Sequence, residues 1–257
     1  MRYVVLALLV LSMGAQAAPF AWPGGRQAAI VLTYDDALNS QLDIAIPALD
    51  AAGLKGTFFL VGSGIRSENL ARWRAAAAEG HELGNHTLFH PCARAKYPMP
   101  VQYQVESYTV ETMLGEIRTM NTLLTAIDGR PEHAFAVPCG DTMTGEKDYL
   151  EPLRASGLVR YERDLQWAEH LGLDRQRIAS AWFPETARGA DMIEAVKQAE
   201  QSGRLLVFGF HGIGGDYLKV SAQAHAELLA YLKAHQSTVW VAPFSTAMDY
   251  ATSHKTH

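Results

Sequence analysis

Four short stretches of this chain carry residues whose types could do chemistry. They are Asp35-Asp36 in TYDD (33–36), His86 and His90 in NHTLFHPC (85–92), the Pro138-Cys139-Gly140 turn in VPCGD (137–141), and His211 in GFHGIGGDY (209–217). Two imidazoles and one carboxylate make an open metal site, with positions left for water and substrate. A second carboxylate beside the metal could take a proton from water whose pKa the metal has lowered to about 7. A histidine across the pocket could return a proton to a leaving group. Together these parts perform metal-assisted hydrolysis. Each fragment also has an ordinary structural reading. A histidine pair at that spacing suits a solvated turn, adjacent aspartates at a strand end suit a helix cap, and GIGG is too short for a phosphate loop.

The case for chemistry rests on where the fragments fall. Apolar β-rich runs alternate with helical patterns along the whole chain. QAAIVLT (27–33), GTFFLVG (56–62), HELGN (81–85), HAFAV (133–137), LVRYE (158–162), RLLVFGFH (204–211) and TVWVA (238–242) read as strands. Helical patterns separate them, the longest from about Val105 to Ile127 with apolar residues at helical period. Pro47 places a kink or late start in the first helix. The region 164–189 is irregular, with a candidate strand in ASAWF, and Ser245–Ala251 reads as a last helical turn or two. Repeated strand–helix units imply parallel strands covered by helices. Pattern alone does not separate a barrel from an open doubly wound sheet. In either, active sites lie past the C-terminal ends of the strands, and all four fragments follow a strand.

Composition narrows the classes. The opening MRYVVLALLVLSMGAQAAPF has the layout of a secretory signal peptide, cleaved after Ala17 or Ala18. Its apolar run is short of the roughly 20 residues of a membrane span. Residues 1–18 therefore read as a leader, and 19–257 as one domain of an exported, periplasmic or secreted protein. Without Arg2, 21 basic side chains face 27 acidic ones, a net charge of −6 with no basic run. Nucleic acid is thereby disfavoured as a partner. Two cysteines are too few for a disulfide scaffold, though an oxidising compartment would let them pair.

Taken in order, the motifs resemble those of the polysaccharide deacetylases, carbohydrate esterase family four. Thr33-Tyr34-Asp35-Asp36 is similar to the family's Thr-Phe-Asp-Asp, His86–Pro91 to its His-(Ser/Thr)-x-x-His-Pro, and His211 to its late histidine after a hydrophobic strand. The resemblance runs from about residue 27 to 245. It implies an irregular, incomplete (β/α) barrel of parallel strands. It also implies a divalent metal, zinc or cobalt for preference, on Asp36, His86 and His90, with Asp35 as general base and His211 as general acid. The backbone N–H of Cys139 would stabilise the oxyanion, and Tyr34, Pro138, Gly140 and Trp167 would line the substrate groove. The barrel would bring Cys92 and Cys139 onto neighbouring loops, where they could form a disulfide.

The third motif departs from the pattern. Where the family has Arg-x-Pro-(Tyr/Phe)-Gly, with the arginine orienting the base, this chain has Ala136-Val137-Pro138-Cys139-Gly140. Arg160 or Arg163, from the next strand, are the candidates to replace that arginine. The fourth motif, an Asp and Trp pair, has only Asp164 and Trp167 to offer. Trp182 is a second groove wall or a plain core tryptophan. The resulting expectation is a metal-dependent hydrolase that removes N- or O-linked acetyl groups from a polysaccharide or oligosaccharide. The alternatives are a carbohydrate-binding protein without turnover on the same fold, or a hydrolase of small-molecule amides. The glycan, the oligomeric state and the choice of metal are not legible in these residues.

Overall fold

Strand β1 (Ala28–Asp35) is AAIVLTYD, uncharged until its last residue and buried along its whole length. A continuous apolar run is what a strand inside a parallel sheet requires, because both of its faces are covered. The computed structural model of the chain describes residues 20–165 and 178–254. The leader expected at 1–18 and the groove residue expected at Trp167 lie outside those residues.

The remaining strands are β2 (Thr57–Leu60), β3 (Glu82–Asn85), β4 (Phe135–Ala136), the hairpin pair β5 (Met143–Thr144) and β6 (Lys147–Asp148), β7 (Glu162–Arg163), β8 (Ala181–Trp182), β9 (Leu205–Phe210) and β10 (Val239–Val241). Apart from the hairpin, all run parallel in one sheet of order β7-β4-β3-β2-β1-β9-β8, with β10 beside the start of β1. Residues 178–182 reach both edges. Ile178 bridges to Arg163 of β7, while Ala181 and Trp182 pair with β9. The sheet is an incomplete barrel, as expected. The hairpin β5–β6 was not foreseen; its strands are two residues long and carry no alternation to read.

The helices are α1 (Ile46–Ala52), α2 (Ser67–Ala78), α3 (Val110–Asp128), α4 (Leu150–Ser156), α5 (Gly189–Ser202), α6 (Ala222–Ala234) and α7 (Phe244–Ser253). Pro47 sits in the first turn of α1, where its missing N–H costs nothing, and a π turn at Gln41–Ala45 leads into it. Helix α3 starts five residues later than its pattern suggested. Thr109 caps it by accepting from the Thr112 N–H, and Gly129 ends it in the left-handed conformation. Among the described residues no helix is long and apolar enough to cross a membrane.

Strand alternation divides the core in two. Outward residues Ile30, Leu32 and Tyr34 meet α1, α5 and α6, whereas inward residues Ala29, Val31, Phe59 and Ala136 meet Phe244, Ala247 and Met248 of α7 inside the barrel. Tyr34 was expected in the substrate groove, but the alternation turns it to the outer side. It is fully buried, stacks between Phe58 and Phe210, and donates its hydroxyl to His225 Nε2 at 2.7 Å.

Burial lowers the His225 pKa to about 4. An unfolded histidine takes its proton near 6.5. Between those values the unfolded chain binds more protons, so this residue's contribution is present above about pH 6.5 and is lost as pH falls toward 4. The slope is about 1.4 kcal/mol per pH unit. Denaturant titrations from pH 7 to 4.5 should show a shallower acid loss for a Tyr34→Phe/His225→Leu double variant than for wild type. Equal slopes would refute the assignment.

Candidate active site

The rim at the C-terminal ends of β1, β3, β4 and β9 gathers the residues that the motifs singled out. In a continuing strand Asp36 would point outward like Tyr34. It instead has φ 80°, a left-handed conformation that breaks the alternation and brings it to the same side as Asp35. Gln41, in the π turn, donates through Nε2 to the carbonyls of Asp35 (2.5 Å) and His211 (3.1 Å), tying the ends of β1 and β9 together.

The histidine loop is built with similar economy. Thr87 and His90 also have positive φ, at 64° and 55°. Asn85 accepts from the Thr87 N–H, and Thr87 Oγ1 accepts from the His90 N–H. Glu116 on α3 accepts from the N–H groups of Leu88 and Phe89, and Tyr108 donates to its other oxygen. None of Gln41, Asn85 or Glu116 was recognised from sequence. Glu116 had a signal, since it lies within the buried face of α3 among Met113, Ile117 and Met120.

His86, His90 and Asp36 converge. His86 Nε2 lies 3.1 Å from His90 Nε2, and Asp36 Oδ1 lies 3.5 Å from each. His86 Nδ1 donates to the Ala136 carbonyl at 2.8 Å, which leaves the Nε2 lone pair aimed into the cluster. Burial takes the His86 pKa down to about 4, against the opposing pull of Asp35. The His86 ring is therefore neutral and offers its Nε2 lone pair. Burial works against ionised Asp36, yet His86, His90, His211 and the Tyr217 hydroxyl outweigh it and hold this carboxyl below its usual range. Asp36 Oδ1 is buried without a hydrogen-bond partner among the described residues. Three ligand atoms 3.1–3.5 Å apart match the edges, about 3.3 Å, of a tetrahedron drawn at zinc–nitrogen distances of about 2.0–2.1 Å. The donor set fits a divalent ion.

Two further groups flank the cluster. Asp35, with 1 % of its side chain exposed, has Oδ2 3.6 Å from His86 Nε2 and 2.5 Å from Arg163 Nη2; its Oδ1 has no hydrogen-bond partner among the described residues. Of the two arginines considered, Arg163 is the one present. Arg160 lies elsewhere, pairing with Asp249 at 2.9 Å. His211 Nε2 is 3.7 Å from Asp36 Oδ2, to which Tyr217 donates at 2.9 Å. Trp182 is not a plain core residue, because its half-buried ring leans on His211 with centroids 4.8 Å apart. Cys92 and Cys139 form a disulfide that joins the histidine loop to the turn after β4. Within that turn Pro138 is buried and so offers no groove surface, while Cys139 and Gly140 are half-exposed. Phe89, 41 % exposed, stacks on Tyr103 beside the histidines.

The family model for polysaccharide deacetylases matches residues 23–157, just over half of the chain. This chain belongs to the polysaccharide deacetylase family. A gellan lyase from Bacillus sp is 36% identical over 69 residues, which are 27% of this chain and only 3% of that protein. Solved structures share the fold. A protein from Mycobacterium smegmatis assigned as a polysaccharide deacetylase superposes with a TM-score of 0.65 at 19% identity, over 94% of this chain and 96% of that one. A family 4 acetyl xylan esterase from Clostridium thermocellum, in complex with a cobalt ion, gives 0.54 at 18% identity, covering 88% and 93%. A family pseudoenzyme from Bacillus anthracis gives 0.56 at 16% identity, covering 88% and 66%. Identities this low speak for the fold of this deacetylase-family chain and leave its activity to the site.

Elemental analysis of the purified protein should find one divalent ion per chain. His86→Ala and His90→Ala should each lose it while keeping the wild-type circular dichroism spectrum. Full metal content in both folded variants would remove this site from consideration.

Proposed function

We propose that this polysaccharide deacetylase-family protein is an exported, metal-dependent hydrolase that removes acetyl groups from a glycan. The observation that carries the reading is the convergence of Asp36, His86 and His90, with Asp35 close to His86 and His211 close to Asp36. A divalent ion held by those three side chains would supply a Lewis acid for the acyl oxygen and a lowered pKa for water. Zinc or cobalt suits two imidazoles and a carboxylate.

The protein's own groups account for the remaining steps. Asp35, through its unpartnered Oδ1, takes the proton as water adds to the acetyl carbonyl. The backbone N–H of Cys139 donates to the oxygen that gains charge, on a turn held by the disulfide. His211, beside Asp36, gives a proton to the departing amine or alcohol as the carbon–nitrogen or carbon–oxygen bond breaks. The products are acetate and the free sugar amine or hydroxyl. Two exposed aromatic side chains, Phe89 next to His90 in the chain and Tyr217 hydrogen-bonded to Asp36, suit stacking against sugar rings.

One observation favours a binding protein without turnover, namely Ala136 in place of the motif arginine. The two readings differ at Asp35. Acetate release from acetylated chito- and xylo-oligosaccharides should disappear with a chelator and return with zinc or cobalt. Asp35→Asn should lower the rate by about 10²–10⁴-fold, the range of general acid–base catalysis. Glycan binding that is unaltered by Asp35→Asn, with no acetate released by metal-loaded wild type, would establish the binding protein instead. Preference for a small acetylated amide over every oligosaccharide would make the substrate a small molecule.

A further inference from the structure

The family pattern puts its base-orienting arginine where this chain has Ala136, yet Asp35 is held by an arginine all the same. We propose that this arginine has been transposed by one strand, from position 136 to position 163. In this reading Arg163 is the residue that positions Asp35, and the small side chains around it are what the transposition requires. The proposal rests on the reading of Asp35 as the base.

Register makes the exchange geometrically direct. Ala136 of β4 and Arg163 of β7 are Cα partners on neighbouring parallel strands, so their side chains leave the same face, into the barrel. Asp35 faces the same interior, as the partner of Phe59 on β2. An arginine at either 136 or 163 can aim at it. With Arg163 fully buried and Ala136 at 0 % exposure, the interior has room for one long side chain there.

The slot that holds Arg163 suits a guanidinium. Its Cζ lies 5.0 Å from the centroid of the Phe59 ring and 5.3 Å from that of Trp182. Both distances are within cation–π range. Two glycines make the rings possible. A Cβ on Gly84 would come within 2.4 Å of Phe59 Cδ1, and one on Gly209 within 2.4 Å of Trp182 Cε2. Each glycine is the strand neighbour of the ring it admits, Gly84 of Phe59 and Gly209 of Trp182. Gly84 and Gly209 are thus the small strand partners of Phe59 and Trp182, as Ala136 is of Arg163.

A stability role does not account for this arrangement. Arg163 Nε and Nη1 are buried with no hydrogen-bond partner among the described residues. Desolvation of buried ion pairs commonly cancels their attraction, and apolar replacements of similar volume are often neutral or stabilising. What the Nη2–Oδ2 contact does fix is the direction of Asp35. It holds one carboxylate oxygen and leaves the other free to accept a proton. Trp182 extends the same control, because the ring that packs on Arg163 also leans on His211. One aromatic side chain therefore packs on the arginine that positions the proposed base and on the proposed acid.

The test uses the full-length, metal-loaded protein and the variants Arg163→Met, Arg163→Lys and Ala136→Arg/Arg163→Ala. Arg163→Met suits the aromatic slot and should fold with wild-type metal content. Its kcat for acetate release should fall about 100-fold, the effect of displacing a reacting group by about 1 Å, with KM little changed. Arg163→Lys should recover part of the loss, having the charge without the planar fork. The double variant should recover at least tenfold over Arg163→Met, because it returns an arginine to Asp35 from position 136.

Crystal structures of wild type and Arg163→Met supply a readout independent of activity. They should show the Asp35 carboxylate turned or split between conformers in the variant. An undisturbed Asp35 in folded Arg163→Met, or a kcat within threefold of wild type, would overturn the proposal. If wild type releases no acetate while Asp35 turns in Arg163→Met, the positioning stands and the deacetylase reading fails. If Asp35→Asn abolishes activity but Arg163→Met does not, the deacetylase reading stands and the positioning fails.

Discussion

A carboxylate with 1 % of its side chain exposed needs a cation or a set of donors close by, and much of this architecture follows from how Asp35 is supplied with one. Arg163 reaches it from the barrel interior, and a guanidinium that crosses an interior must itself be clad. Phe59 and Trp182 provide that cladding, and Gly84 and Gly209 concede the volume their rings occupy. The short segment 178–182 brings Trp182 into place by pairing with β7 at Ile178 and with β9 at Ala181. The curvature of the sheet and the placement of one charge are therefore the same structural fact seen at two scales.

Around that buried pair the rim is made of backbone that L-residues rarely adopt. Asp36, Thr87, His90 and Cys139 all have positive φ. Each such residue costs about 1–3 kcal/mol and persists only where its surroundings over-determine it. Here the constraints can be named. Asn85 and Glu116 hold the N–H groups of the histidine loop, Gln41 bridges the carbonyls at Asp35 and His211, and Lys96 donates to the Cys139 carbonyl at 3.0 Å. The disulfide adds a covalent link between the two turns whose separation decides the width of the site. Helix α3 connects β3 to β4 in sequence, packs against β3 and α2, and also delivers Glu116. A polar residue in its buried face is thus a component of the site.

Much of this was legible in the chain because strand period and strand ends leave strong marks. The alternation of apolar runs and helical patterns gave a parallel sheet, and the residues following each run gave the rim, with no geometry needed. Less legible were contacts that depend on which face a residue takes. Tyr34 sits beside Asp35 in sequence and on the opposite side of the sheet in space, so adjacency misled. Trp182 showed the reverse, an aromatic in an irregular stretch whose neighbour, His211, is remote in sequence. Arg163 and Arg160 differ by three positions, and only the register of β4 with β7 decides between them. Asn85, Gln41 and Glu116 act through backbone groups, which no residue pattern encodes directly.

The last helix carries a consequence of its own. Phe244, Ala247, Met248 and Ala251 of α7 occupy the barrel interior, and Thr57 and Glu82, at the starts of β2 and β3, accept hydrogen bonds from the first turn of that helix. The floor of the barrel is thus delivered by the ribosome after every strand of the sheet it fills. Until it emerges, the inner faces of strands synthesised long before lack the largest part of their packing. A chain caught in mid-synthesis presents a sticky concave sheet to its surroundings. Apolar surface exposed at that stage favours aggregation until α7 docks.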